Sequence, residues 1–318
     1  MSVDPSFTIT ISDTNLFLRT RLITWAMVFC SLYAGIMTDS FMKSIIPQRV
    51  SVIIPSYNEE RDIEKCLISL QQQTYPDLEI IVIDDGSVDA TLENIKKFSV
   101  KLLNQSHQGP AIARNLGASK AKGEILVFVD ADMTFDKDFI KNLIKPILDK
   151  KTIGTFSKGE YVANMDNVWS RCWNLNKGLT KNKMLPDNYP DTQPVFRAIL
   201  KSKFDEVNGF DSVGYNDDWT LSQKLRIQAI NAPGAIFYHR NPDNLTEIWQ
   251  HALWVGKRRY KLRLAALFRS SFPMSLIVGI FKSFVYLTPQ FLIFKVVYDF
   301  AIFISIFKSF LPGYTVVK

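Results

Sequence analysis

Short apolar runs alternate with amphipathic stretches through the central part of the chain. The three clearest apolar runs are 50–54, 79–83 and 125–129. The helical patterns between them are 59–72, 89–98 and 110–121. Near-continuous apolar runs of this length are expected of strands that are buried on both faces. The alternation therefore predicts an α/β fold with a mostly parallel sheet that is flanked by helices.

The pattern becomes irregular after residue 150. A tryptophan-rich helical stretch at 164–181 precedes a loop that contains Pro186, Pro190 and Pro194. The C-terminal segment 271–311 is apolar, although it includes Lys282, Lys295 and Asp299 and is divided by Pro289. A hairpin of two helices and a pair of helices lying in a membrane interface both fit this segment.

The N-terminal segment contains a second apolar region, 22–37, with basic residues on both sides of it. It is short for a bilayer span, which needs about 20 residues. An anchor helix is favoured over an interfacial helix, and a signal peptide is disfavoured because the leader carries Asp4 and Asp13. The predicted organisation is a leader and membrane anchor at 1–45, an α/β domain at 46–264, and hydrophobic membrane-associated helices at 265–318.

Composition supports a folded centre with membrane-seeking ends. The chain of 318 residues is 47% hydrophobic and has a net charge of +7. The densest basic run, 257–263, directly precedes the apolar C-terminal segment, which favours anionic lipid over nucleic acid as its partner. Three cysteines without zinc-site spacing indicate reduced thiols and an active domain in the cytoplasm.

Polar residues follow each predicted strand, where ligands bind in parallel sheets. Pro-Ser-Tyr-Asn-Glu-Glu at 55–60 follows the first strand, and Asp-Asp-Gly-Ser-Val-Asp at 84–89 follows the second. Either segment could be an ordinary turn that caps the next helix. Asp84 and Asp85, however, would repel each other at the end of a buried strand if they had no partner.

The third cluster, Asp130-Ala131-Asp132, follows the strand at 125–129. An Asp-x-Asp on an extended segment can send one carboxylate to a metal and the other to a ribose or to the same metal. Such oxygen ligands suit Mg²⁺ or Mn²⁺ bound together with a diphosphate. The motif alone is common in turns, but three acidic clusters at three strand ends of one sheet are a stronger signal.

Residues 51–132 resemble the donor half of family 2 glycosyltransferases, which have the GT-A fold. The matching pieces are VSVIIPSYNEE, LQQQTYPDLEIIVIDDGSVDAT and GPAIARNLGASKAKGEILVFVDADM. The resemblance implies a nucleotide-sugar donor held by two sets of residues, one for the base and ribose and one for the diphosphate. These donor-binding residues are Pro55, Tyr57, Glu59, Asp84, Asp85, Arg114, Asp130 and Ala131.

The resemblance also implies a divalent metal, Mg²⁺ or Mn²⁺, with Asp130 and Asp132 as ligands. His239 falls where many relatives carry a histidine after a late strand, and it could complete the metal shell or contact phosphate. A buried histidine with a structural role is the other interpretation of His239. For Arg114, the other interpretation is an exposed helix arginine.

A later segment, FDEVNGFDSVGYNDDWTLSQKL, resembles the family element in which an acidic pair opens a helix beneath the acceptor. The usual pair is Glu-Asp, and this chain has Asp217-Asp218. Asp218 aligns with the general base of an inverting displacement, and Asp217 lies on the acceptor side. From the residues alone, an acidic helix N-terminus that is favourable for the helix dipole is the other interpretation.

The sequence therefore predicts an inverting glycosyltransferase at the cell membrane, acting on a lipid-linked or cell-surface glycan acceptor. A non-catalytic membrane scaffold and a sugar-phosphate nucleotidylyltransferase are the alternatives. The latter needs a glycine-rich basic loop after the first strand, where this chain has Pro-Ser-Tyr-Asn-Glu. A P-loop enzyme is excluded because the Gly-x4-Gly-Lys-Ser/Thr motif is missing from the sequence.

Overall fold

The computed structural model describes residues 48–179, 181–213, 217–256, 263–308 and 310. The apolar segment at 22–37, predicted to be an anchor helix, lies outside these residues. From Arg49 onward the described chain forms one compact unit.

An eight-stranded sheet, ordered β3-β2-β1-β4-β9-β6-β10-β8, forms the centre of that unit. Its strands in chain order are β1 Val50–Ser56, β2 Leu78–Asp84, β3 Lys101–Asn104, β4 Ile125–Phe128, β6 Gly154–Phe156, β8 Thr192–Gln193, β9 Ala198–Leu200 and β10 Ala229–Asn231. β9 is antiparallel to both of its neighbours and β8 is antiparallel to β10, whereas the other pairs are parallel. The sheet is mostly parallel, as predicted.

The described chain also forms a smaller sheet of three strands, the first of which follows β4 in the sequence. It consists of β5 Met133–Phe135, β7 Glu160–Val162 and β11 Phe237–His239, with β11 in the middle. The central strand pairs His239 with Met133 on one side and with Val162 on the other. This pairing brings His239 next to the segment that follows β4.

Helices cover both faces of the large sheet. The helices up to residue 225 are α1 Ile63–Gln71, α2 Thr91–Ile95, α3 Pro110–Lys120, α4 Phe139–Leu148, α5 Val168–Asn176, α6 Lys201–Glu206 and α7 Thr220–Leu225. Alternate residues of β1 point to opposite cores: Val52 and Ile54 pack with α1 and α4, and Ile53 packs with α3. Strands buried on both faces need continuous apolar sequences, which is why β1, β2 and β4 were recognisable.

The close packing of α3 on the sheet depends on Gly117. A Cβ atom at this position would lie 2.6 Å from Cγ2 of Ile53 and 2.7 Å from Cδ1 of Ile83. Any side chain would therefore push the helix away from β1 and β2. Since α3 carries Arg114, this small residue positions that arginine relative to the strand ends.

Four helices complete the described chain: α8 Leu245–Gly256, α9 Arg263–Arg269, α10 Phe272–Val285 and α11 Gln290–Lys308. The last two are separated at Pro289 and pack against each other as a hairpin, which is one of the two arrangements that fitted the sequence. α11 also packs on α5 and α8, so these helices are continuous with the α/β unit. Among the described helices, α11 alone has the length and apolar composition needed to cross a membrane. The predicted membrane association of 265–318 stays a prediction.

Candidate active site

The strand ends of both sheets surround a cavity of about 640 Å³. The residues lining it that sequence analysis predicted are Pro55, Tyr57, Glu59, Asp85, Arg114, Asp130, Ala131, Asp132, Asp217, Asp218 and His239. Residues from the two predicted halves, which are up to 184 positions apart (55 to 239), thus meet in one site. The carboxyl ends of parallel strands are the usual place for such a site.

Asp85 organises the loop that follows β3. Its Oδ1 accepts hydrogen bonds from Gln105 Nε2 at 2.6 Å and Gln108 N at 2.9 Å, and its Oδ2 accepts one from Gly109 N at 2.9 Å. His107 Nδ1 lies 3.0 Å from the same Oδ2. The imidazole of His107 is stacked on Tyr57, with ring centroids 4.0 Å apart. These two partly exposed rings form a flat surface at one end of the cavity.

Asp84 does not line the cavity, unlike its neighbour. It is buried at the end of β2, and its carboxylate accepts a hydrogen bond from Ser87 N. Ser87 in turn accepts a hydrogen bond from Asn58 N across to the loop after β1. Asp85 therefore lines the cavity and holds the loop that follows β3, whereas Asp84 stabilises the turn between Asp84 and Ser87.

Asp130 is held between two arginines. Arg114 Nη2 donates to its Oδ1 at 2.7 Å, and Arg197 Nη1 donates to its Oδ2 at 3.1 Å. Burial acts to raise the pKa of Asp130, but Arg197 and Arg114 outweigh it and hold the pKa far below its usual value. Asp130 is consequently ionised, and both of its oxygens already have a cationic partner.

Arg197, which sequence analysis did not single out, immediately precedes β9 and lies 5.5 Å above the ring of Phe237. β9 pairs with β4 in antiparallel orientation, and this pairing brings Arg197 next to the carboxylate of Asp130. A single arginine before a short apolar run carries little signal in a sequence, because the strand pairing gives the residue its role.

Asp132 points away from the arginines and contacts His239. The distance from Asp132 Oδ2 to His239 Nε2 is 3.0 Å, and His239 Nδ1 lies 3.0 Å from Oε1 of Glu160. Burial acts to lower the pKa of His239, but Asp132 and Glu160 together raise it well above its usual value. Glu160, at the start of β7, is a second residue that the sequence analysis missed.

Glu59 lies near this group and lines the same cavity. Burial, followed by the carboxylates of Asp132, Asp62 and Asp130, raises the pKa of Glu59 to about 8. A carboxyl group with this pKa is largely protonated at neutral pH, and burial is the main reason.

The predicted metal ligands separate into two groups. Within the described ranges, no group of three or more His, Cys, Asp or Glu side chains is arranged to hold a metal ion. Asp130 is engaged by arginine, whereas Asp132 and His239 are adjacent and face the cavity. Two protein ligands fit a cation that takes its remaining ligands from substrate phosphates and water. Glu160 would accept a hydrogen bond from Nδ1–H of His239, so that Nε2 could bind a metal once it has lost its proton, as is common where a carboxylate lies next to a histidine ligand.

The acidic pair at 217–218 starts a short 3₁₀-helix, Asp217–Trp219, that leads into α7. Asp217 is buried, and its Oδ1 accepts a hydrogen bond from Val213 N at 2.7 Å. Asp218 is less buried and lines the cavity near Arg114. Burial raises the pKa of Asp218, and Arg114 and Arg197 partly counteract this effect. Asp218 is therefore a stronger base than an exposed aspartate when it is ionised.

Aromatic residues from outside the α/β core form another wall of the cavity. Trp173 comes from α5, Trp254 and Val255 come from α8, and Tyr298 comes from α11. The rings of Trp173 and Tyr298 meet edge to face, with centroids 5.5 Å apart. The C-terminal helices thus contribute directly to the site, which sequence analysis did not predict.

The comparisons with known proteins identify the family and the fold. The family described as Glycosyl transferase family 2 matches residues 51–207. Residues 51–207, just under half of the chain, thus form a domain of this family.

Two curated relatives and one solved structure illustrate the range of similarity. Glycosyltransferase GlyG of Streptococcus pneumoniae is 36% identical over 201 residues, which cover 54% of this chain and 63% of that protein. Glycosyltransferase GlyA of the same organism is 27% identical over 240 residues, covering 66% of this chain and 34% of its own length. The chain thus spans about a third of that relative.

The solved structure is the mannosyltransferase PcManGT of Pyrobaculum calidifontis, in complex with GDP-Man and Mn²⁺. It shares 20% sequence identity and covers 80% of this chain and 88% of its own, with a TM-score of 0.52. At this identity the likeness confirms the predicted GT-A fold.

Proposed function

We propose that this protein is an inverting glycosyltransferase that transfers a sugar from a nucleoside-diphosphate sugar to an acceptor hydroxyl. One observation carries the proposal. A single cavity combines an arginine-held Asp130, an Asp132–His239 pair and a separate acidic residue, Asp218, from the acceptor half. Transfer of this kind needs a place for the diphosphate and one carboxylate near the acceptor, and the cavity offers both.

Tyr57 and Asp85 suit the nucleoside end of the donor. An exposed tyrosine ring can stack on a base, and the loop that Asp85 holds through Gln108 N and Gly109 N surrounds that position. Arg114 reaches the cavity from α3 and would pair with phosphate oxygen, while its contact with Asp130 fixes its direction. Pro55 and Ala131 line the space between these groups.

Asp132 and His239 would hold a divalent cation, Mg²⁺ or Mn²⁺, which supplies positive charge to the diphosphate when bound. Mn²⁺ accompanies GDP-Man in the solved mannosyltransferase of the same fold, and this supports the assignment.

Asp218 would act as the general base. Its carboxylate takes the proton from the acceptor hydroxyl while the oxygen attacks the anomeric carbon and the bond to the nucleoside diphosphate breaks. The attack comes from the face opposite the leaving group, so the anomeric configuration is inverted. Arg114 stabilises the charge that accumulates on the departing diphosphate.

The aromatic wall supports an acceptor that is partly apolar. Trp173, Trp254 and Tyr298 offer flat surfaces to a sugar ring or to a lipid chain. A lipid-linked acceptor would also agree with a location at the cell membrane with the catalytic unit in the cytoplasm. A growing cell-surface glycan is the second acceptor class that this wall could bind.

A thermal-shift panel of UDP-, GDP- and dTDP-sugars with and without Mn²⁺ tests the donor assignment. Ligands that bind the folded state raise the unfolding temperature by mass action, so the correct donor should stand out, and only with the metal. NMR of the product formed from that donor then reports the anomeric configuration. Binding without transfer or hydrolysis would instead favour a non-catalytic scaffold.

A further inference from the structure

In α10 the large apolar side chains are exposed and the small residues are buried, which is the reverse of the usual pattern in a soluble protein. Its buried residues are Ser275 and Gly279, whereas Ile277, Phe281 and Phe284 are exposed. The spacing of 277, 281 and 284 places these apolar residues on one side of the helix, opposite 275 and 279. Small residues that face a neighbouring helix, with large apolar residues facing outward, are typical of helices in contact with lipid.

The helix α11 presents a matching stripe. Ile293, Phe300 and Phe307 are each about half exposed, and their spacing of seven residues keeps them on one side. The opposite side is buried against α5 and α8 through Phe291, Phe294 and Ile302, among others. The outward sides of α10 and α11 thus form a continuous apolar surface on this hairpin.

Exposed apolar side chains are concentrated here to an unusual degree. Of the 20 exposed large hydrophobic residues in the described ranges, 12 lie between 268 and 310. Phe284 is 80% exposed and Leu287 is 85% exposed. A contiguous patch of this kind marks a contact with a membrane or a protein.

We propose that the outward side of α10 and α11 docks in the plane of a bilayer, inserted into one leaflet and not spanning it. Lipid is favoured over a protein partner by charge, because the run 257–263, with five Lys and Arg residues, lies shortly before α10 in the sequence. Such a run attracts anionic headgroups. This inference specifies how the protein would be held at the membrane, and it is independent of the proposed activity, since docking needs neither donor nor acceptor.

The buried side of α11 argues against a membrane span. Lys295 Nζ donates to Asp299 Oδ1 at 2.9 Å, and Asp299 Oδ2 accepts a hydrogen bond from Ser275 Oγ at 2.8 Å. Lys295 Nζ also lies 3.3 Å from Oδ1 of Asn176, at the end of α5. This polar network ties the hairpin to the α/β unit, so lipid cannot surround α11. The 14 residues of α10 extend over about 21 Å, which is less than the hydrocarbon thickness of about 30 Å.

Depth-dependent fluorescence quenching on the full-length chain tests the proposal. An environment-sensitive fluorophore is attached to single cysteines introduced by Phe284→Cys, Ile293→Cys, Phe300→Cys or Phe307→Cys. Vesicles of phosphatidylcholine and phosphatidylglycerol carry spin labels at a shallow or a deep acyl position. We expect a blue shift at every site on adding vesicles, and the same quenching depth at 293, 300 and 307.

A span would give a different profile. Residues 293 and 307 are about 21 Å apart along a helix axis, so a helix crossing the bilayer would show large depth differences between them. Such a gradient would overturn the in-plane arrangement. Labels that are already shielded before vesicles are added would overturn it too, because a second copy or another segment of the chain would then cover the surface.

Ile68→Cys on α1 is the matched control, since Ile68 is an exposed apolar residue on a different part of the unit. Its label should show no blue shift with vesicles. Cys66 and Cys172 are buried, and Cys30→Ser removes the remaining thiol. Thermal unfolding of each labelled chain confirms that it is folded, and omitting phosphatidylglycerol should weaken the shift. An unchanged emission at Phe284 and Phe300 in folded protein would contradict docking.

Discussion

The two adjacent acids at 217–218 provide the sharpest prediction, because the structure separates their roles. Both residues line the cavity, but Asp217 is the more buried of the two and its Oδ1 accepts a hydrogen bond from Val213 N, whereas the carboxylate of Asp218 lies near Arg114. Asp218→Asn keeps the shape of the side chain but cannot accept a proton from the acceptor. We therefore expect a loss of turnover with donor affinity nearly unchanged, since the proposed donor-binding residues lie on other elements of the fold.

The size of the loss follows from the environment of the carboxylate. A positioned general base contributes roughly 10²–10⁴-fold to the rate, which corresponds to about 3–5 kcal/mol in the barrier. Burial increases the basicity of Asp218, and Arg114 and Arg197 reduce it. Because these effects oppose each other, we expect a loss of about 10³-fold, in the middle of that range.

Asp217→Asn is the matched control. It weakens a hydrogen bond to a charged acceptor, which stabilises the protein by about 1–3 kcal/mol, so the unfolding temperature should fall while turnover changes little. The assays are steady-state kinetics with the identified donor, donor binding by calorimetry, and thermal unfolding. Near-normal turnover in Asp218→Asn would refute the assignment. A large loss in Asp217→Asn with normal stability would move the base by one residue.

Three further changes probe the remaining groups. Asp132→Asn should abolish most of the metal-dependent increase in unfolding temperature seen with donor, and unchanged metal dependence would contradict the role of Asp132. Arg197→Met leaves Asp130 with Arg114 as its one arginine partner, so donor affinity should fall about 10-fold, as for the loss of one charged hydrogen bond. Calorimetry measures the donor affinity, and an unchanged affinity would contradict this role of Arg197. The pKa of Asp218 is raised, and the ionised form is the active one. The acid limb of the kcat profile should therefore lie at higher pH than for an exposed aspartate, with activity lost as pH falls through it, and Asp218→Asn should lack that limb.

The α/β architecture was predictable because its strands are local, continuous apolar runs. β1, β2 and β4 lie within two residues of the positions expected from the apolar pattern. The acidic turns that follow them were recognisable for the same reason, since their place in the sheet follows from the strand. Arg197 and Glu160 were missed because short strands bring them to the site. β9 and β7 are three residues each, and three residues carry almost no periodicity.

The C-terminal helices show a second limit of sequence reasoning. Their apolar composition is equally compatible with three arrangements: a membrane span, a position in the membrane interface, and packing on protein. The structure divides their surface between two environments: Tyr298 and Phe294 face the α/β unit, and Phe300 and Phe307 face outward. The docking of α11 against α5 and α8 decides which of its sides faces the α/β unit and which faces outward. This docking is a tertiary property that no local sequence pattern contains.

The two surfaces of α11 lie close to each other along the helix. One helix, α11, supplies Tyr298 to the cavity and Phe300 to the outward apolar surface, only two residues away. A movement of the hairpin on its exterior side would therefore be transmitted to the aromatic wall of the cavity. Lys295, which is paired with Asp299 on the same helix, opposes such movement through its contact with Asn176 Oδ1 at the end of α5, because a shift of the hairpin would take a polar partner from a largely buried charge. The hairpin thus connects the outward surface to the place where the acceptor would bind.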